Sequence, residues 1–398
     1  MDMKPKNIAL LDTVPRLKEE RQRRLTEEKI SIQRSLNSIV YPILSLPVEV
    51  TTEVFLSCLP DEPVQPSEKV APMLLGRVCR HWRDIACSTP RLWAALLVRL
   101  WGGPSFELLV RLWLRRARAV PLSLTLELPY GHCFDSFFTG RGCFCPSSLP
   151  FTEHWANLSS FHGICFTPAE CLDLLSLAPR LTHCEFNRIP VGLLATPTST
   201  SHLLLTNLEH LELNPLSADI RPLLLVLDWL SLPALRSLKI SGAFMNPEAA
   251  TFHSFLERAP SLQTFDGSFG GTVEHNGLVE ILRKALRAMP LLTSLRLIAD
   301  PTSIANIMRI LNESPTFLPR IQNMDLFTPS IVHWPDSFTT SLIDGLTSRW
   351  EAKSGVAQLV DFRYFFIPEI RLAMDGRLMV CISKLRGKGM RIRVGPNL

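Results

Sequence analysis

Three groups of side chains in this 398-residue sequence are of types that could do chemistry. The first is His132, Cys133, Cys143 and Cys145, ligand types for zinc that fall within fourteen residues. Their spacing fits no finger, whose ligands must converge on one tetrahedron. They read as a surface loop with reduced thiols, and no metal is expected. The second is a row of charges, Glu185, Glu212, Lys239, Asp266, Arg296 and Asp325, each two residues after a polar one: His183, His210, Ser237, Thr264, Ser294 and Asn323. Exposed on one face, such a row would recognise a charged partner, with Glu185 and Glu212 meeting Lys or Arg on it. The third is the basic C-terminal run of Lys384, Arg386, Lys388, Arg391 and Arg393, with Met390, Ile392 and Val394 between them. That alternation suits an anion or RNA patch or, better without interleaved aromatics, an edge strand kept from aggregating by its charges. None of the nucleotide, metalloprotease, dithiol or nucleophile-elbow motifs is present, so no catalytic residue, cofactor or enzymatic activity is expected. DGSFGG at 266–271 has glycines without a phosphate-loop pattern and reads as a turn leaving a strand.

The elements that would position the charged row form a repeat. Leu181, Leu208, Leu235, Leu262, Leu292 and Ile321 lie 27, 27, 27, 30 and 29 residues apart. Counting from each, apolar residues stand at offsets 0, 3 and 5, polar ones at offset 2 and charged ones at offset 4. Only Gly267, at offset 5, departs. This is the period of a strand with one wet face, stacked as an array. Thr167-Pro168 and Asn246-Pro247 supply N-cap and first-turn pairs for intervening helices. One strand and one helix per unit resembles a leucine-rich-repeat array. The family's usual Asn at offset 8 is missing, since those positions hold Ile189, Leu216, Ala243, Gly270, Asp300 and Pro329. The fold class expected is therefore α/β, an irregular solenoid with a parallel sheet spanning 118–398. PLSLTLEL at 121–128 would be its first strand. A helix near 337–353 and the runs VDFRYFF and MRIRV would close its end.

Upstream, residues 1–15 read as a flexible lead and 16–40 as a charged helix. Ten of the fourteen positions from Arg16 to Lys29 are charged, with Glu19/Arg23 and Glu20/Arg24 spaced to pair. Its stripe of Leu25, Ile32, Leu36 and Ile39 suits either a coiled coil or a helix leaning on the next domain. Residues 41–101 read as a compact helical block. Pro47 would open its first helix, and Pro60, Pro63, Pro66 and Pro72 bound an insertion at 60–72. A second helix would carry Leu74, Leu75, Val78, Trp82 and Ile85.

Composition agrees with a folded chain. It is 46% hydrophobic and 20% charged, too apolar for disorder. Seven basic residues and one Asp in 371–398 account for +6 of a net +5, leaving −1 elsewhere, so nucleic acid is not expected. No apolar run reaches the ~20 residues a membrane span needs, and no signal peptide is evident. Ten Cys in a chain this long suit a reducing cytoplasm or nucleus.

The helical block resembles an F-box. LSLPVEVTTEVFLSCLP and VCRHWRDIACSTPRLW carry the family's two halves in order, and the whole chain is similar to the large fungal class. That resemblance implies an adaptor surface made of Leu46, Pro47, Glu49, Val50, Val54, Phe55, Leu59, Val78, Cys79, Trp82, Ile85, Leu92 and Trp93. It also implies a Skp-type adaptor as partner, a cullin-RING ubiquitin ligase beyond it, and a protein client on the repeat array. An F-box scaffold without a ligase role remains the alternative, with a hydrolase site in the C-terminal half behind it. The insertion at 60–72, and Leu59 standing one position late, are departures from the family pattern.

Overall fold

The computed structural model describes residues 6–38, 45–99, 104–127, 152–190, 202–217, 220–241, 249–269, 275–328, 337–351, 355–366 and 376–396. Helix α1, Lys6–Ser38, takes in most of the lead that was expected to be flexible; Ala9, Leu10 and Leu11 are strong helix formers. Every described side chain on it is exposed, including Leu25, Ile32 and Leu36. Glu20 pairs with Arg24 as expected, whereas Arg23 turns to Glu27 rather than Glu19. Ile39 lies outside the described residues.

The helical block comprises α2 (Val48–Ser57), α3 (Leu75–Val78), α4 (Arg80–Ser88) and a 3-10 turn at Pro90–Trp93. Pro47 precedes α2 as its cap rather than opening its first turn. The single second helix expected from Leu74 to Ile85 is broken at Cys79. That residue is extended, and its thiol accepts the Trp82 N–H at 3.4 Å. This is an N-cap interaction at a position where periodicity alone reads straight through. Phe55 and Trp82 meet edge-on with centroids 5.0 Å apart, locking α2 to α4. Buried Phe55 and Trp93 each contribute about 2–3 kcal/mol of apolar transfer energy.

The sheet begins earlier than expected. β1 (Ala95–Arg99) falls inside the range assigned to the helical block, and α5 (Pro104–Ala117) follows it. Then come β2 (Leu122–Glu127), β3 (Leu158–Ile164), α6 (Pro168–Leu177), β4 (His183–Ile189), β5 (His210–Pro215), α7 (Arg221–Asp228) and β6 (Ser237–Ile240). After these run α8 (Ala249–Glu257), β7 (Thr264–Phe269), α9 (His275–Arg287), β8 (Ser294–Ala299), α10 (Pro301–Glu313) and β9 (Asn323–Thr328). The order ends with α11 (Phe338–Trp350), β10 (Asp361–Phe366), α12 (Gly376–Gly387) and β11 (Arg391–Pro396). These eleven strands join one parallel sheet in chain order, and Leu203–Leu204 pairs with Leu230–Ser231 in a separate two-stranded one. Parallel neighbours need a crossover, and the helices from α5 to α12 each lie in one. The capping box at Thr167 and Glu170 starts α6. Asp300 accepts from Ser303 N at 3.0 Å to start α10, using one of the positions where the offset-8 Asn is missing. Asn246-Pro247 lies outside the described residues.

Offsets 3 and 5 face the helices. Leu211, Leu213, Leu238, Ile240, Leu295 and Leu297 are all buried, and offsets 2 and 4 line the opposite, open face. Gly267 keeps its unit in register by a substitution of shape. A Cβ there would lie 2.5 Å from Cζ of Phe265, so the ring from offset 3 fills the space of the missing offset-5 side chain. Gly163 does the same for Phe161. DGSFGG is accordingly not a turn after Asp266, because β7 continues through Phe269.

Candidate functional site

Two surfaces collect the residues singled out from the sequence. On the helical block they divide into an inside and an outside. Phe55, Ile85, Leu92 and Trp93 are buried and hold the block together, so they are not available to a partner as the adaptor surface required. The Trp93 indole N–H donates to the Ala86 carbonyl at 2.8 Å, and Trp113 of α5 donates to the Trp93 carbonyl at 2.9 Å. With Arg116 stacked 4.4 Å over its ring, Trp93 joins the block to the sheet. Leu59, Cys79 and Trp82 are half-buried. Exposed are Leu46, Pro47, Glu49, Val50, Val54 and Val78. Val48 and Leu74, which sequence reasoning left out, are exposed with them. Val50/Val54 and Leu74/Val78 are i, i+4 pairs, so α2 and the start of α3 each present an apolar step to solvent.

On the open face of the sheet, parallel pairing sets the offset-4 residues side by side: His162, Glu185, Glu212, Lys239, Asp266, Arg296, Asp325, Arg363 and Arg393. The row largely neutralises itself. Lys239 Nζ is 2.7 Å from Glu212, Arg296 is 3.7 Å from Asp266 and Arg363 is 3.6 Å from Asp325. Glu212 is therefore already held by a lysine and is not the free acid expected. Cross-strand attraction also accounts for the charges from Glu212 to Arg363, which alternate in sign from strand to strand. Burial raises the Asp266 carboxyl above its ordinary range despite Arg296 and Lys239 beside it. Glu185 is different. It accepts from Asn187 Nδ2 at 2.6 Å and faces His162 Nδ1 at 3.8 Å, and among the described residues it meets no lysine or arginine within 4 Å.

Around Glu185 lies a depression of about 420 Å³, lined by His162, His183, His210, Glu212, Ser237 and Lys239 among others. The His183 and His210 rings stack 4.3 Å apart at 15°. Partial burial, with His183 close by, holds His210 below its ordinary value and so neutral near pH 7. Below the rings runs an amide ladder: Asn214 donates to Asn187 at 2.5 Å and to Glu212 at 2.7 Å, and Ser241 donates to Asn214 at 2.5 Å. His162, Asn187 and Asn214 were not singled out from the sequence, although Asn187, Asn214 and Ser241 all stand at offset 6 and could have been. The arrangement is a shallow polar cradle with one carboxylate open to a cation. Among the described residues no group of His, Cys, Asp or Glu could hold a metal ion, and His132, Cys133, Cys143 and Cys145 lie outside them. No described helix is long and apolar enough to cross a membrane.

No family model and no curated protein matches the chain. Among solved structures it is similar to the leucine-rich repeat-containing protein LegL7 from Legionella pneumophila. The identity is 14% and the TM-score 0.34, over 85% of this chain and 94% of that one.

Proposed function

We propose that this protein is a recognition subunit without catalysis of its own. In this reading the helical block is an F-box that docks on a Skp-type adaptor and so on a cullin-RING ubiquitin ligase, while the open sheet face holds a protein client. The observation that carries the reading is the division of the helical block. Its own core is closed around Phe55, Ile85, Leu92 and Trp93, yet Val48, Val50, Val54, Leu74 and Val78 are left 42–58% exposed. A block this small gains nothing by exposing those side chains unless another surface covers them. The client would present a Lys or Arg to Glu185, an exposed contact that sets specificity and on-rate more than affinity.

The test is calorimetry with a purified Skp-type adaptor. Pro47→Ala with Val54→Asp is expected to abolish binding, because the aspartate brings an unpaired charge into a desolvated interface at a cost of several kcal/mol. Wild-type affinity in a variant still folded by circular dichroism overturns the assignment. A pull-down probed for cullin and for ubiquitinated proteins separates a ligase subunit from an adaptor-bound scaffold.

A further inference from the structure

The two ends of the sheet are finished differently. At β1 the outward Leu97 N–H donates to the Val64 carbonyl at 3.1 Å, so the proline-bounded insertion covers that edge. At β11 the Arg391 N–H donates inward to Val360 at 2.9 Å. Strand alternation then turns the N–H and C=O of Ile392 and Val394 outward. The Ile392 carbonyl is held by Arg386, whose Nε and Nη2 lie 3.0 and 2.7 Å away. Among the described residues nothing pairs with the outward N–H of Ile392 or with either outward group of Val394.

The side chains at this edge are cationic. Arg391 is 70% exposed and shares Asp361 with Arg363, while Arg393 is exposed and meets no acid among the described residues. These groups and Arg386 line a depression of about 500 Å³. The alternation of charge also stops here. Asp325 is followed by Arg363, but Arg363 is followed across the sheet by Arg393. A further strand with acidic residues opposite Arg391 and Arg393 would give each arginine an acid on its open side.

We propose that the outer edge of β11 binds an extended acidic segment of another protein as a twelfth strand. Acids at positions i and i+2 of the segment would meet Arg391 and Arg393, with apolar residues between them on the helix side. Ile392 is itself buried and its carbonyl stays with Arg386, so backbone hydrogen bonds to half-buried Val394 supply the affinity, and the arginines supply selection, refusing neutral and basic strands. The surface lies apart from Glu185 and does not depend on the reading of the helical block.

The experiment is fluorescence anisotropy of the full chain with a labelled ten-residue peptide alternating Glu and Val. A Lys/Val peptide and an oligothymidylate of similar charge serve as controls. The Glu/Val peptide is expected to bind and the Lys/Val peptide not to. Arg391→Glu with Arg393→Glu is expected to weaken binding about ten-fold or more. Val394→Pro removes an outward N–H without changing charge and is also expected to weaken it. Glu185→Lys is expected to leave binding unchanged. Equal binding by the oligothymidylate, or an unaffected Val394→Pro variant, overturns strand addition in favour of charge alone. Amide exchange on the wild-type chain gives a second readout, and unchanged exchange at Ile392 and Val394 with peptide bound overturns it too.

Discussion

Replacing Gly267 by leucine sets repeat logic against packing. Offset 5 holds Phe186, Leu213, Ile240, Leu297 and Leu326 in the neighbouring units, all fully buried or nearly so. By pattern, Gly267→Leu restores the repeat. Burying the new side chain would add about 1.5–3 kcal/mol, and removing a strand glycine about 0.5–1 kcal/mol. The structure reverses the sign. The first added carbon would already sit 2.5 Å from Cζ and 2.7 Å from Cε1 of Phe265, well inside the ~3.5–4 Å of carbon contact. Phe265 cannot swing aside, because it is fully buried and its ring lies 6.0 Å from that of Phe252. Gly267→Ala is therefore expected to destabilise by about 1–2 kcal/mol, and Gly267→Leu by about 3 kcal/mol. Phe265→Leu alone opens a cavity and costs about 1–3 kcal/mol. Together, Phe265→Leu and Gly267→Leu rebuild the pair of leucines used by the β5 and β8 units. The double variant is expected within about 1 kcal/mol of wild type, a coupling of several kcal/mol. Urea unfolding followed by tryptophan fluorescence reads all four proteins. A raised midpoint for Gly267→Leu, or a double variant that loses the sum of the singles, would refute the reasoning.

Register, titration and thiol access give three more expectations. Leu238→Ala should cost ~2–5 kcal/mol, and Lys239→Ala, half-exposed beside Glu212, under ~1 kcal/mol; equal losses in the same urea titration would mean that the strand faces are assigned backwards. Since the folded His210 titrates below its ordinary 6.5, the unfolded chain takes up more protons just below that pH. Its contribution to stability is thus complete above 6.5 and is lost as pH falls, a loss that His210→Gln should remove. A ring-proton NMR titration placing His210 at or above 6.5 would contradict this. Burial pushes the Cys171 and Cys184 thiols well up, whereas Cys58 is exposed. Mass mapping after brief alkylation should show Cys58 modified and those two intact, and early labelling of Cys171 would show that α6 is not packed as described.

What could be read from the sequence was what is local or strictly periodic. The strands from His183 to Asn323 start where counting from each repeat apolar residue placed them, and VDFRYFF and MRIRV are strands. The Thr167 cap is a three-residue signal and was legible. β1 was not, because five residues with no repeat apolar residue ahead of them look like the tail of the helical block. The break at Cys79 was hidden for a different reason: a cysteine thiol rarely caps a helix, and the apolar spacing runs on through it. The cradle around Glu185 was half legible. Its charges were visible, but pairing between Glu212 and Lys239 depends on which strands lie side by side, a fact 27 residues distant that only the register supplies.

The alternating charges also constrain how such an array can change length. From Glu212 to Arg363 the signs run minus, plus, minus, plus, minus, plus, one per strand. Deleting the β7 unit would bring Lys239 against Arg296, and duplicating it would set Asp266 against its own copy. Either puts like charges directly opposite each other, which costs stability. Removing or copying two adjacent units preserves every pairing. In this stretch a change of length by two units, about twice the 27–30-residue structural repeat, therefore keeps opposite charges side by side, whereas a change by one unit does not.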